Sequence, residues 1–178
     1  MSKIFKLSVS LILNQILATV GGFMCIIFVN LVAGDTIGAH LLFLALTLPF
    51  FVYINYRAAF TSAFHDADRR NKPQSQAFLF KGAVAGAISI IPLFALVTIY
   101  LYFHFTNQVP WANSFKFITR VCSMYYNFPM CNLFPNHCPE VLVSSLFIPI
   151  ISSWLGYGAG SKNFSIYDKI LILLKNRK

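Results

Sequence analysis

Four long apolar stretches separated by polar passages organise this chain. Residues 7–33 carry no charge and read LSVSLILNQILATVGGFMCIIFVNLVA. Such a helix is roughly 40 Å long at 1.5 Å per residue, enough to cross an apolar core of ~30 Å with some tilt. A cleaved leader has an apolar region of only about 7–15 residues, ending in small side chains, so this run reads as a retained first span. Gly34-Asp35-Thr36 follows as a tight turn, with Asp35 or Thr36 placed to cap the next helix. So short a link forces the second run, residues 37–56, antiparallel to the first. Tyr53 and Tyr56 close it as interfacial aromatics. Residues 82–105 and 141–160 form the third and fourth runs. The pattern predicts an all-α fold, a single integral membrane four-helix bundle over residues 1–178.

The polar passages complete the plan. Residues 57–81, RAAFTSAFHDADRRNKPQSQAFLFK, start with helix formers. Phe60 with Phe64 and Asp66 with Arg70 are pairs four residues apart on a solvated helical face. The second helix is therefore expected to run past the membrane surface and end near Asn71-Lys72-Pro73, since Pro73 disfavours helical geometry before it. Residues 106–140 read as an outer loop rich in proline, and residues 161–178 as a tail. In that tail Ile166, Ile170, Leu173 and Leu174 share a helical face opposite Lys169 and Lys175, the signature of an interfacial amphipathic helix.

Composition agrees with a lipid solvent. Of the 178 residues, 57% are hydrophobic and only 11% are charged, against about 25% charged in an ordinary soluble domain. Mean hydropathy is +0.67. The net charge of +9 is sorted along the chain rather than gathered into a nucleic-acid motif. Twelve of the 14 basic residues fall before residue 7, in 57–81 or in 161–178, leaving Lys116 and Arg120. The positive-inside rule puts the first group, and both termini, in the cytoplasm of a multi-pass plasma-membrane protein. Arg57, Arg69, Arg70, Lys72, Lys81, Lys169 and Lys175 are then candidate contacts for anionic headgroups or for a membrane-protein partner.

Candidate chemistry is sparse. The four runs contain no Asp, Glu, Lys or Arg, whereas ion-coupled transporters usually place such a group within the membrane. His40 and His104 fall near the outer ends, as interfacial hydrogen bonders or as part of an outward polar pocket. Asn14 and Gln15 read as packing contacts between helices, with a substrate pocket as the sharper alternative. Pro49, Pro92 and Pro149 lie inside spans and should bend them. Gly82 with Gly86, and Gly156 with Gly160, have the spacing that lets helices approach closely.

Cys122, Cys131 and Cys138 fall in the outer segment, where disulfides can form, and Cys131–Cys138 is the first choice of three pairings. A zinc site built from them with His137 is disfavoured because no C-x2-4-C pair is present. Cys25 reads as a buried thiol. Common nucleophile, zinc and phosphate-loop motifs are absent, so no catalytic residue, cofactor or metal is assigned. Asn163-Phe164-Ser165 is a glycosylation sequon on the wrong side of the membrane for use.

Tyr53-Ile54-Asn55-Tyr56, then His65-Asp66-Ala67-Asp68-Arg69-Arg70-Asn71, then Lys81-Gly82 with Pro92, form a recognisable order. Gly156-Tyr157-Gly158-Ala159-Gly160 before a basic tail adds to it. About half the chain thereby resembles small four-span membrane proteins of low-GC Gram-positive bacteria. That resemblance implies no catalytic residues. The expected role is an accessory or interaction subunit of a transport or envelope assembly. The alternatives are a small transporter or lipid-handling protein with a pocket between kinked helices and, last, a membrane enzyme using outer cysteines or histidines.

Overall fold

A computed structural model describes residues 3–34, 36–68 and 80–161. Lys169, Lys175, Arg69, Arg70, Lys72, the sequon and the amphipathic tail lie outside the described residues. Two long helices open the chain, α1 (Lys3–Ala33) and α2 (Ile37–Asp68). Gly34 makes the turn between them with φ of +65°, a left-handed conformation that glycine adopts at no steric cost. The Thr36 hydroxyl caps α2, accepting from the Ala39 amide at 3.2 Å.

The third run is broken in two. Helix α3 (Lys81–Ser89) and helix α4 (Ile91–Phe105) meet at Ile90 with a bend of 51°. Pro92 has no N–H for the Ile88 carbonyl and its ring crowds that carbonyl, which accounts for the break. The fourth run is also divided, into α7 (Cys138–Ser145) and α8 (Phe147–Ser161), with Pro149 just past the joint. Pro49, by contrast, sits inside α2, which continues as one helix of 32 residues. By length and composition Lys3–Val32, Ile37–Asp66 and Pro135–Ser161 could each cross a membrane, and the bent α3–α4 pair makes a fourth if counted as one span.

Residues 106–140 differ most from expectation. Instead of an outer loop they form α5 (Val109–Cys122) and α6 (Asn127–Leu133), followed by a short 3-10 turn, Pro135–His137. Asn107, at φ of +56°, reverses the chain after α4, and α5 runs back along α4 with Phe103 stacked on Trp111 and Phe115. The α5–α6 turn reaches the middle of the α1–α2 pair. There the Thr19 hydroxyl donates to the Cys122 carbonyl at 3.0 Å, and the Thr47 hydroxyl to the Tyr125 carbonyl at 2.9 Å. Tyr125 is fully buried, stacked 3.7 Å from Phe51 and packed on Ala18. The sequence reading missed this hairpin because its polar residues and prolines imitate a loop.

Helix α8 is the axis of the described bundle. Its most extensive neighbour is α2, and the seam is made by glycine. A Cβ on Gly156 would lie 2.9 Å from the Tyr56 Cα, and one on Gly160 would lie 2.9 Å from the Phe60 Cα. On another face of α8, α3 supplies the small residues. A Cβ on Gly86 would come within 2.8 Å of the Ile150 Cα, and one on Gly82 within 2.5 Å of the Ser153 carbonyl oxygen. The Ser153 hydroxyl adds an interhelical hydrogen bond, donating to the Gly82 carbonyl at 2.9 Å. All four glycines thus pack helices within the chain.

Candidate functional site

The glycine seams bring four chain segments together at one end of the bundle, and a single carboxylate joins them. Asp66, near the end of α2, is 4% exposed. Its Oδ1 pairs with the Lys3 ammonium at the start of α1. Its Oδ2 accepts from the Tyr157 hydroxyl of α8 at 3.0 Å and lies 4.0 Å from the Lys81 ammonium at the start of α3. A buried carboxylate is tolerable only when charge-paired and hydrogen-bonded, and here both conditions hold. The remaining space, bordered also by Leu7 and Ser62, is about 10 Å³, close to the room one water needs. Arg70, the expected partner of Asp66 on a solvated face, lies outside the described residues; the Asp66 carboxylate points inward to three other helices.

A different face of α2 borders an open groove against α1, about 460 Å³ in volume. Tyr53, Arg57, Thr61 and His65 recur at four-residue intervals on its α2 wall, and Ser10 and Asn14 stand on its α1 wall. The Arg57 guanidinium donates to the Tyr53 hydroxyl at 3.3 Å. Asn14 ties the two helices together, its amide donating to the Ile54 carbonyl at 3.2 Å and to the Asn55 Oδ1 at 3.4 Å. Asn55 is fully buried, and its Nδ2 has no partner among the described residues. A second open groove of about 460 Å³ lies at the other end, lined by Leu101, Phe105, Glu140 and Phe147 among others.

The far end holds a cationic cluster. Arg120 donates to the Asn132 side-chain oxygen and to the Phe128 carbonyl at 3.4 Å, with its guanidinium 5.1 Å from the Phe128 ring centre. Asn132 lies 3.4 Å from the His40 Nε2, linking α6 to α2. Desolvation pulls the Arg120 guanidinium below its ordinary value, and desolvation together with the Arg120 charge does the same to Lys116. The Asn127 amide, fully buried, has neither its oxygen nor its nitrogen hydrogen-bonded among the described residues.

The expected polar pocket of His40, His104, Asn14 and Gln15 is not assembled. His40 meets Asn132, and His104 packs 5.6 Å from the Tyr100 ring on its own helix. Asn14 faces Asn55, while Gln15 donates to the Ser89 hydroxyl at 3.4 Å. Cys131 and Cys138 are joined as a disulfide with Cα atoms 4.9 Å apart, which fixes α6 to α7 and removes both thiols from any metal or redox role while oxidised. Cys122 is exposed and Cys25 half-buried rather than buried. No group of three His, Cys, Asp or Glu side chains positioned for a metal occurs among the described residues.

Asp66 with Lys3, Lys81 and Tyr157 is the constellation that sequence reasoning missed. Its members are up to 154 positions apart (Lys3 to Tyr157), and only the antiparallel return of α2 and α8 to the start of α1 joins them. The available signal was helical spacing. Asp66 follows Ala59 by seven positions and Ala63 by three, so it continues a face of small residues, both of them fully buried in the structure. No family model, curated protein or solved structure matches this chain.

Proposed function

We propose that this protein is a four-span integral membrane protein, with both termini cytoplasmic, that acts as a non-catalytic interaction subunit of a transport or envelope assembly. The observation that carries this reading is, among the described residues, a filled centre inside an apolar exterior. Tyr125 fills the middle of the α1–α2 pair, Pro149 is fully buried, and neither 460 Å³ groove includes Pro49, Pro92 or Pro149. Meanwhile only 22% of the apolar window in each of α1 and α2 is buried, leaving Leu13, Leu17, Met24 and Phe28 among many outward side chains. Such a surface needs lipid or a partner helix. The meeting of Lys3, Asp66, Lys81 and Tyr157 supports a common side for the start of α1, the loop after α2 and the end of α8.

A second reading, lipid handling, is favoured by the laterally open α1–α2 groove. Native pull-down from membranes, followed by mass spectrometry, tests the leading one. A stoichiometric membrane partner is the expected result. A chain that copurifies with lipid alone would refute the subunit role, and one that stays dispersed without detergent would refute membrane residence.

A further inference from the structure

We infer that the α1–α2 groove binds the phosphate of an anionic membrane phospholipid, with Arg57 as its principal ligand and the Thr61 hydroxyl as a neutral donor. This rests on the membrane residence proposed above but not on the partner.

Charge is the first support. Arg57 carries the charge on the groove, and none of the described residues lining it is acidic. Among the described residues no carboxylate pairs with Arg57, whose partner is the neutral Tyr53 hydroxyl. Asp66, the nearest acid along α2 among these residues, is turned toward Lys3 and Tyr157. Lys6 lies one helical turn before Ser10 on α1 and extends the basic border.

Unused hydrogen-bonding capacity is the second. Thr19, Thr47, Thr98 and Thr119 each donate to the carbonyl four residues earlier in their helices. Thr61 makes no hydrogen bond among the described residues, although it is exposed on the groove wall. A hydroxyl and a guanidinium one turn apart on the same face suit a phosphate, whose oxygens accept several donors at once.

Depth is the third. Arg57 is the first charge after the uncharged residues 37–56, and Lys6 is the last before residues 7–33. Because α1 and α2 are antiparallel, with Lys3 meeting Asp66 and Asn14 meeting Asn55, both boundaries fall along this groove. That is the level of lipid phosphates, with Tyr53 and Ile54 below to face glycerol and the first acyl carbons. A dissolved phosphate shares the chemistry but not the apolar lower end.

The test uses the full chain in nanodiscs of phosphatidylcholine containing phosphatidylglycerol, with bound lipid counted by native mass spectrometry after release. Wild type should retain phosphatidylglycerol, and Arg57→Gln should weaken retention about tenfold or more, given what a charge-assisted hydrogen bond contributes. Lys116→Gln removes the same charge at the other end and should leave retention unchanged. Thr61→Glu should abolish retention while Thr61→Lys preserves it, and because Thr61 is exposed both variants should fold.

Equal losses in Arg57→Gln and Lys116→Gln, or no loss in the first, would overturn the site. Displacement of the lipid by millimolar inorganic phosphate would overturn the lipid as ligand. Failure of the pull-down leaves this assay unaffected, and a chain that needs no detergent refutes membrane residence before it is run.

Discussion

Gly156→Ala offers the sharpest check on the packing, because α8 contains its own control. The new Cβ would lie 2.9 Å from the Tyr56 Cα, with the Tyr56 carbonyl closer still. Ordinary contact begins near 3.4 Å and the carbonyl oxygen is the limiting neighbour, so α8 and α2 must separate by roughly one ångström, and backbone cannot rotate away as a side chain can. A gap of 0.5–1 Å forfeits a quarter to a half of each contact's dispersion energy, and the loss runs along the whole seam. Overpacking of this kind costs ~1–3 kcal/mol, while alanine regains up to about 1 kcal/mol of helix propensity over glycine. The net expectation is a destabilisation of ~1–2 kcal/mol. Gly158, two residues on, has nothing within 4 Å of its Cβ position, so Gly158→Ala should be neutral or stabilising by ~0.5–1 kcal/mol. Thermal unfolding in one detergent, read by helical circular dichroism, compares the pair, and Gly156→Ala should melt about 2–8 °C lower. Equal melting temperatures for the two variants would refute the close α2–α8 seam.

Asp66→Asn should destabilise the protein by ~1.5–3 kcal/mol by removing the charge that Lys3 and Lys81 share, and Tyr157→Phe by less; the same melts rank them, and an unchanged Asp66→Asn would show the node to be incidental. Replacing both Cys131 and Cys138 by Ser should cost about 2.5 kcal/mol, the loop-closure value for so short a ring, and wild type in reductant should fall to the same melting temperature. Neutralising Arg69, Arg70 and Lys72 together should mix the orientations in which the chain inserts, scored by labelling cysteines placed at each end; uniform wild-type labelling would refute the role of that loop in topology.

The long helices were legible because apolar runs of this length admit few other structures, and the break near Pro92 followed from one missing N–H. The glycine pairs were legible as packing residues but not as to partner. Nothing in Gly156 and Gly160 says that Tyr56 and Phe60 receive them, since the spacing marks a face and not what covers it. Residues 106–140 failed for the opposite reason. Their prolines occupy first turns of helices, as Pro110, Pro135 and Pro139 do, where the missing donor is harmless, so a proline-rich stretch imitated a loop while forming helical turns.

Asp66 shows why charge must be read with depth as well as count. On composition it is one acid among five, diluted by 14 cations and natural to assign to a local pair with Arg70. In the folded chain it is the acid that Lys3, Lys81 and Tyr157 converge on, and burial makes its satisfaction obligatory. Arg57, nine residues earlier, has no such acid among the described residues and stands on a groove where the Thr61 hydroxyl is likewise left without a partner among them. One face of α2 thus completes its electrostatics within the protein, while another leaves cation and donors to be completed from outside. That division, and not the total of +9, is what directs attention to a phosphate at the membrane surface.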